Sequence, residues 1–447
     1  MKIAKFGGSS VADAAQIKKV LSIFNADDER RVIVVSAPGR RYQDDTKLTD
    51  LLIELYHLVI GHADTQQITD KINTVLERFQ SIEQDLPLKQ SLIPHFKGKL
   101  EHLIKETTEH ARLLDALKSC GEDFNAELIA AYNTQQGIDT LYYHPRDAGL
   151  FVTDEPGNAR VLEESYTAIK DSLPPTKKIV IPGFFGISKT GHIVTFSRGG
   201  SDLTGAVIAR ALDAGIYENY TDVSGIFSAN PNIIPNPNRI EEVTYDEMRE
   251  LSYAGFNVFH DEAIAPLYSK EIPVVIKNTN RPEDPGTLIV SSRQAEGVVG
   301  VSCDKGFASI NIKKYMMNRE IGFTRKLLSI LEDLNISYEH IPSGIDNVSI
   351  ILREHQLHGK EALLTEQIRT TLNIDQLSTE KNLAILMIVG EGMKTAVGTA
   401  NKATQAFMDH QINLKMINQG SSEISMMFGI EEKDAVKAVK AVYNAYF

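Results

Sequence analysis

The sequence predicts an α/β domain built on a largely parallel sheet, followed by two copies of a small α+β unit. Three observations carry this. The opening segment alternates short apolar runs with amphipathic helical stretches at the spacing of βα units. Strand signals return at 178–182 and 193–197. The segment from Gly322 to Leu352, moved forward by 76 positions, lies on Gly398 to Phe428 with a helix, a loop and an alternating strand in the same order.

Taken in order, 3–6 reads as a strand, and 11–24 as a helix with Val11, Ala14, Ala15, Leu21 and Phe24 near one face. The run 31–36 is a second strand of the fully buried type. From Ala63 to Ser119 the pattern is helical, charged and nearly free of glycine, with Leu76, Phe79 and Ile82, then Leu100, Leu103 and Ile104, as apolar stripes. The chain turns loop-like between Pro282 and Gly286, and after Glu296 its character changes to short ββ and βα units, which marks a domain boundary. In the repeat, Gly322 matches Gly398, Ile336 matches Ile412, Ile341 matches Ile417, Gly344 matches Gly420 and Ser349 matches Ser425.

At roughly 150 residues per domain, 447 residues suggest about three domains. The 47 Lys and Arg against 59 Asp and Glu, a net charge of −12, disfavour a nucleic-acid partner, which would call for a clustered basic face. Two distant cysteines, Cys120 and Cys303, build neither a disulfide framework nor a paired-cysteine zinc site, as in a reducing compartment. A charge interrupts the apolar run at the start, and no stretch approaches the ~20 apolar residues of a spanning helix. A cytoplasmic protein is expected.

Lys5-Phe6-Gly7-Gly8-Ser9-Ser10 lies where a strand gives way to a helix, so backbone amides and the positive helix end can meet an anion there, with Lys5 adding a point charge suited to phosphate. An ordinary strand-to-helix turn explains the same glycines, and the Walker spacing is absent. A second such element, Phe196 to Asp202, offers Arg198 as a planar fork for a carboxylate or phosphate. Asp202 reads equally as a dipole partner at a helix start, as does Glu122, which follows one helix and opens another at Asp123. Thr221 to Phe227 and the Asn230–Asn238 stretch suggest a long ordered loop. No histidine spacing supports a caged zinc, and no metal site is expected.

These motifs resemble the aspartokinases of the amino acid kinase fold over essentially the whole chain. The opening motif is similar to the family's Lys-Phe-Gly-Gly-Thr/Ser-Ser signature, and Arg198-Gly199-Gly200-Ser201-Asp202 to its second glycine motif. Thr49-Asp50-Leu51-Leu52, Gly121-Glu122, Thr221-Asp222-Val223 and Pro285-Gly286-Thr287 follow in the family's order, and the repeats resemble its paired ACT units. The resemblance implies a kinase domain over 1–296, a first ferredoxin-like ACT domain over 297–378, which the C-terminal end of the chain can complete, and a second over 379–447.

It also implies phosphoryl transfer from MgATP to the side-chain carboxylate of aspartate, the first step toward lysine, threonine and methionine. Lys5 would stand beside the transferring phosphate, with Gly7, Gly8 and Ser9 as the backbone cradle and Asp202 orienting Lys5 or the metal. Arg198 would grip a substrate carboxylate, Glu122 the substrate ammonium, and Thr49 and Ser201 would complete the aspartate site. Thr221 and Asp222 would line the nucleotide, with Phe227, Asn232, Asn257 and Val258 as neighbours. At this nucleotide side the chain departs from the family: Phe227, Asn230 and Asn232 replace a usual Tyr, Asp and Arg, and Gly255-Phe256-Asn257-Val258-Phe259-His260 lacks a usual lysine. Magnesium would be held mainly by ATP.

The resemblance places a lysine effector, with threonine as a possible companion, at Met317, Glu320, Phe323, Thr324, Ser337, Tyr338 and Glu339. In the repeat Glu339 falls opposite Lys415, so only the first copy offers an acid to an ammonium; a solvated strand charge is the alternative. A homodimer or dimer of dimers through the ACT units is expected. The competing readings are another amino acid kinase that forms an acyl phosphate and a catalytically silent amino-acid sensor.

Overall fold

The computed structural model describes residues 1–447 except Pro175, Arg198, Asn257, Val258, His260 and Ala295. The chain divides into two compact units, the first comprising Met1–Ile226, Arg239–Arg249 and Asn257–Arg293, and the second Phe227–Asn238, Glu250–Phe256 and Gln294–Phe447.

The first unit runs β1 (Lys2–Phe6), α1 (Ala14–Asn25), β2 (Arg30–Val35), then the helices α2 (Leu48–Ile60), α3 (Thr65–Asp85), α4 (Ile93–Glu106) and α5 (His110–Gln135). There follow β3 (Thr140–Tyr142), α6 (Pro145–Ala148), β4 (Phe151–Val152), α7 (Glu164–Ser172), β5 (Lys178–Pro182), β6 (Phe185–Ser188), β7 (Ile193–Thr195), α8 (Gly200–Ala211) and β8 (Ile216–Thr221). β9 (Glu242–Thr244), α9 (Tyr245–Tyr253), whose residues from Glu250 onward belong to the second unit, α10 (Ile264–Tyr268), β10 (Val274–Asn278) and β11 (Thr287–Val290) complete this part.

Among the described residues, an eight-stranded sheet has the order β3-β5-β2-β1-β8-β10-β11-β9, and its first six strands run parallel. The interior strands are buried almost throughout, as a sheet covered on both faces requires. Of the helical face expected over 11–24, Val11, Ala14, Leu21 and Phe24 are buried, but Ala15 is exposed, and Ile17 and Val20 hold the stripe instead. The expected break at Glu122 does not occur. α5 runs unbroken through Ser119 to Asp123, because these residues are buried on every side and tertiary packing, rather than propensity, sustains the helix.

The second unit continues with β12 (Gly300–Lys313), α11 (Phe323–Asp333), β13 (Asn347–Arg353), α12 (Glu361–Leu372), β14 (Gln376–Val389), α13 (Thr399–Asp409), β15 (Met416–Gln419), β16 (Ser425–Glu431) and α14 (Ala435–Tyr446). One antiparallel sheet, in the order β13-β12-β14-β16-β15, serves both repeats. The short strands expected from sequence are here joined into two 14-residue strands, β12 and β14, which shift register around Gly306, where φ is 81°. The repeat is visible in the backbone: α11 and α13 are 76 positions apart at both ends, and the glycines before them, Gly322 and Gly398, have φ of 81° and 89°. Two apolar cores result, one drawn from 308–372 and one mainly from 384–443, the latter joined by Ala229, Ile234 and Val301.

Candidate active site

The expected kinase residues gather where β1, β2 and β8 end, the edge at which open parallel sheets bind ligands. Lys5 sits in β1 in register with Asn219 of β8, so both side chains leave the same sheet face. There they meet Asp202, in the first turn of α8. Lys5 Nζ is 2.7 Å from Asp202 Oδ1, and Asn219 Nδ2 donates to the same oxygen at 2.8 Å. The carbonyl oxygen of the Asn219 amide is buried without a partner among the described residues. Sequence reasoning missed Asn219, although a polar residue in a strand as buried as Ile216–Thr221 was its available signal.

After β1 the chain turns through Gly7 into a 3-10 turn, Gly8–Val11, whose first amides have no partner within the turn. Gly7 N–H is taken by Tyr220 O at 3.1 Å, which anchors the turn to β8. Gly8 lies against the segment after β2: Gly39 N–H donates to Gly8 O at 2.9 Å, and a Cβ on Gly39 would stand 2.6 Å from the Gly8 carbonyl carbon. Gly39 is therefore a second residue that sequence reasoning passed over. The same segment reaches Glu122. Gly121 lets α5 close on Ala37, whose Cβ would stand 2.8 Å from a Cβ there, and on Leu48 and Leu52 of α2.

Thr49, half-buried, follows Leu48 in the first turn of α2. Glu122 is 6% exposed, has the Ala37 amide near its carboxyl, and leaves Oε2 without a partner among the described residues. Burial pushes its carboxyl up to about 8, against the pull of the Ala37 amide and of Lys118. Ser201 is buried beneath the β5–β6 turn, where a Cβ on Gly183 would stand 2.6 Å from Ser201 Cβ. At that turn Phe184 takes a φ of 77°, which a bulky side chain adopts only under constraint. Gly199, at φ 58°, opens α8.

Thr221 and Asp222 leave the end of β8, with Thr221 Oγ1 donating to Asp222 Oδ1 at 3.2 Å and Asn278 Nδ2 to Asp222 O at 3.2 Å. Phe227 and Asn232 belong to the second unit, where Asn232 is exposed and its amide donates to Asn230 Oδ1 at 2.9 Å. Arg198, Asn257 and Val258 lie outside the described residues.

The opening residues 1–278 match the amino acid kinase family, and 386–446 match the ACT domain. Over 451 aligned residues the chain is 48% identical to Aspartokinase 3 of Bacillus subtilis (strain 168), covering 100% of this chain and 99% of that one. The chain belongs to the aspartokinases. As a member of that family it is a phosphotransferase. The aspartate kinase of Clostridium acetobutylicum, described as an allosteric enzyme, superimposes with a TM-score of 0.88 at 38% identity and full coverage of both chains. Aspartokinase III of E. coli, solved with aspartate and ADP, shares the fold at a TM-score of 0.80 and 23% identity, over 100% of this chain and 99% of that one.

The aspartokinase residues expected to hold an effector divide in two. Met317 and Phe323 are buried in the core of 308–372, while Thr324, Ser337 and Tyr338 are exposed. Both acids already have partners. Glu320 pairs with Lys314 and, at 3.1 Å, Lys326, and these hold its carboxyl below the usual range. Glu339 accepts from Tyr253 Oη at 2.6 Å and faces Arg353 Nε at 3.4 Å.

Proposed function

We propose that the chain transfers the γ-phosphoryl group of ATP to the side-chain carboxylate of L-aspartate, giving ADP and 4-phospho-L-aspartate. A carboxylate oxygen attacks the γ-phosphorus as the bond to the β,γ-bridging oxygen breaks, and ADP leaves with the electron pair. An ionised carboxylate needs no base to activate it. The barrier is the meeting of two anions, so positive charge and fixed amides at the transfer point are the catalytic means.

The observation that carries this reading is the Lys5–Asp202 pair beside the Gly7-Gly8 turn, joined through Gly39 and Ala37 to the half-satisfied carboxyl of Glu122. Lys5 would neutralise the transferring group, held in place by Asp202 and Asn219. Gly7, Gly8 and Ser9 would cradle the phosphates. Glu122 would take the substrate ammonium, with Thr49, Ser201 and Arg198 on its carboxylates. Thr221 and Asp222 would border the nucleotide. Mg2+ would be held mainly by the nucleotide's oxygens and waters, as that ion prefers, with Asp202 available to orient it, and would offset phosphate charge.

We further assign 1–296 to the kinase domain and 297–378 and 379–447 to the ACT domains; the two apolar cores, over 308–372 and mainly over 384–443, support a pair of ACT units, with Ala229, Ile234 and Val301 packing into the second. Lysine is the effector we favour, at the first ACT repeat. Support comes from E. coli aspartokinase III, which has been solved with lysine and aspartate. A homodimer or dimer of dimers through the ACT units, in the cytoplasm, completes the proposal; no helix among the described residues is long and apolar enough to cross a membrane. The deciding experiment incubates the protein with MgATP, an amino acid and hydroxylamine. Aspartyl hydroxamate supports the proposal, product with glutamate alone replaces the substrate, and ATP binding without turnover of any amino acid leaves a sensor.

A further inference from the structure

We propose that Lys118 is a positioning residue for the aspartate subsite, a partly buried cation that ties the helix carrying Glu122 to the strand feeding the second glycine segment and keeps Glu122 available to an ammonium. The inference rests on the assignment of Glu122 given above.

Lys118 stands one helical turn before Glu122 on α5, and at this spacing two side chains share a face. Its side chain is 14% exposed. The ammonium donates to Thr195 Oγ1 at 3.0 Å, stands 3.3 Å from Asp115 Oδ1 and lies 5.5 Å from the centre of the Phe184 ring. Asp115 in turn accepts from Thr195 N at 2.9 Å, Thr195 Oγ1 at 2.7 Å and Gly157 N at 2.7 Å. Asp115 is therefore satisfied by three neutral donors, and a lysine is not required to pair it. What the lysine adds is charge. Thr195 ends β7, after which the chain passes to Gly199 and Asp202, and Phe184 is the residue held at positive φ over Gly200, whose Cβ would stand 2.9 Å from it. The cation thus joins α5, the β5–β6 turn and the approach to α8.

Among the described residues, the charges that bear on Glu122 are few. On its own helix Asp123 opposes ionisation, and Lys118 favours it. Asp123 is itself held by Lys99 of α4 and Tyr142 of β3. Of the remaining elements packed there, α2 presents the apolar Leu48 and Leu52, the segment after β2 the Ala37 amide, and β7 the hydroxyl of Thr195. Removing Lys118 leaves Glu122 buried without the cation that, among the described residues, favours its ionisation.

The test is calorimetric titration of aspartate into the full chain, saturated with the β,γ-imido analogue of ATP, from about pH 6.5 to 9.5. Aspartate affinity of the wild type should rise with pH as Glu122 ionises. In Lys118→Met the midpoint of that rise should move up by about one pH unit, so that binding is about tenfold weaker below it and equal well above it. Lys118→Arg should restore the wild-type midpoint. Should Lys118→Met not fold, Lys118→Gln, which keeps a hydrogen bond to Thr195 without the charge, is read in the same way. Coincident midpoints in wild type and the uncharged variant overturn the role of Lys118, while hydroxamate formation by the wild type leaves the assignment of the site standing. A wild type that neither binds nor phosphorylates aspartate overturns both.

Discussion

Lys5 and Asp202 meet at 2.7 Å, one from the first strand and the other from the helix that follows the second glycine segment. Side chains 10% and 13% exposed give the pair a setting in which charge is weakly screened, and Asn219 donates to the same carboxylate oxygen. Such an arrangement fixes the ammonium rather than neutralising a stray charge. It joins two glycine segments that are far apart in the chain.

Lys5→Ala is expected to lower kcat by about a hundredfold or more while the dissociation constant for aspartate changes by less than about fivefold, since in the proposed transfer the lysine acts on charge at the transferring group. Steady-state hydroxamate kinetics beside aspartate titration measure both. Unchanged turnover would remove Lys5 from the mechanism.

Glu122 carries a pH signature. Its folded-state carboxyl, at about 8, holds a proton that the unfolded chain releases near the ordinary 4.5, so stability is lost as pH rises between those values. Glu122→Gln should match the wild-type melting temperature near pH 5 and exceed it by about 3 °C or more near pH 9. Its aspartate affinity should be low and flat with pH. Equal melting at both pH values would show that the buried carboxyl is not raised.

Gly39→Ala tests the contact between the two loops. The added Cβ would press on the Gly8–Ser9 peptide group, at 2.6, 2.8 and 2.9 Å from Gly8 C, Gly8 O and Ser9 N, and none of these atoms can rotate away. A loss of about tenfold or more in kcat/KM for ATP is expected, with a stability cost of about 1–3 kcal/mol. Wild-type kinetics would mean that the Gly8 turn plays no part in holding phosphate.

Glu339 and Tyr253 make opposite predictions for lysine inhibition. Glu339→Gln should raise the lysine concentration for half inhibition by about tenfold or more and leave turnover without lysine near wild type, because an effector acts only through its differential affinity for two states. Tyr253→Phe removes the hydroxyl that now occupies Glu339 Oε2 and should lower that concentration. Dose curves identical to wild type in both variants would place the effector elsewhere.

Much of this molecule is written locally. Buried apolar runs with glycine turns behind them define β1 and β2, a regular spacing defines α1, and the 76-residue repeat reappears to the residue in α11 and α13. Lys5, Gly7, Gly8 and Asp202 were legible because a strand end, a tight turn and a helix start are short-range features with their own residue preferences. Where local rules misled, packing had decided. α5 passes through Gly121 without a break because its surroundings bury it, and Glu339, which read as a free acid, is claimed by Tyr253 and Arg353. Asn219, Gly39 and Lys118 act through partners distant in the chain, Asp202, Gly8 and Thr195, and no spacing rule connects such pairs. Composition and periodicity determine which elements form and where their turns lie; which side chains share a low-dielectric pocket, and therefore which carboxyl is pushed up to about 8, is decided when the sheet brings its strand ends together.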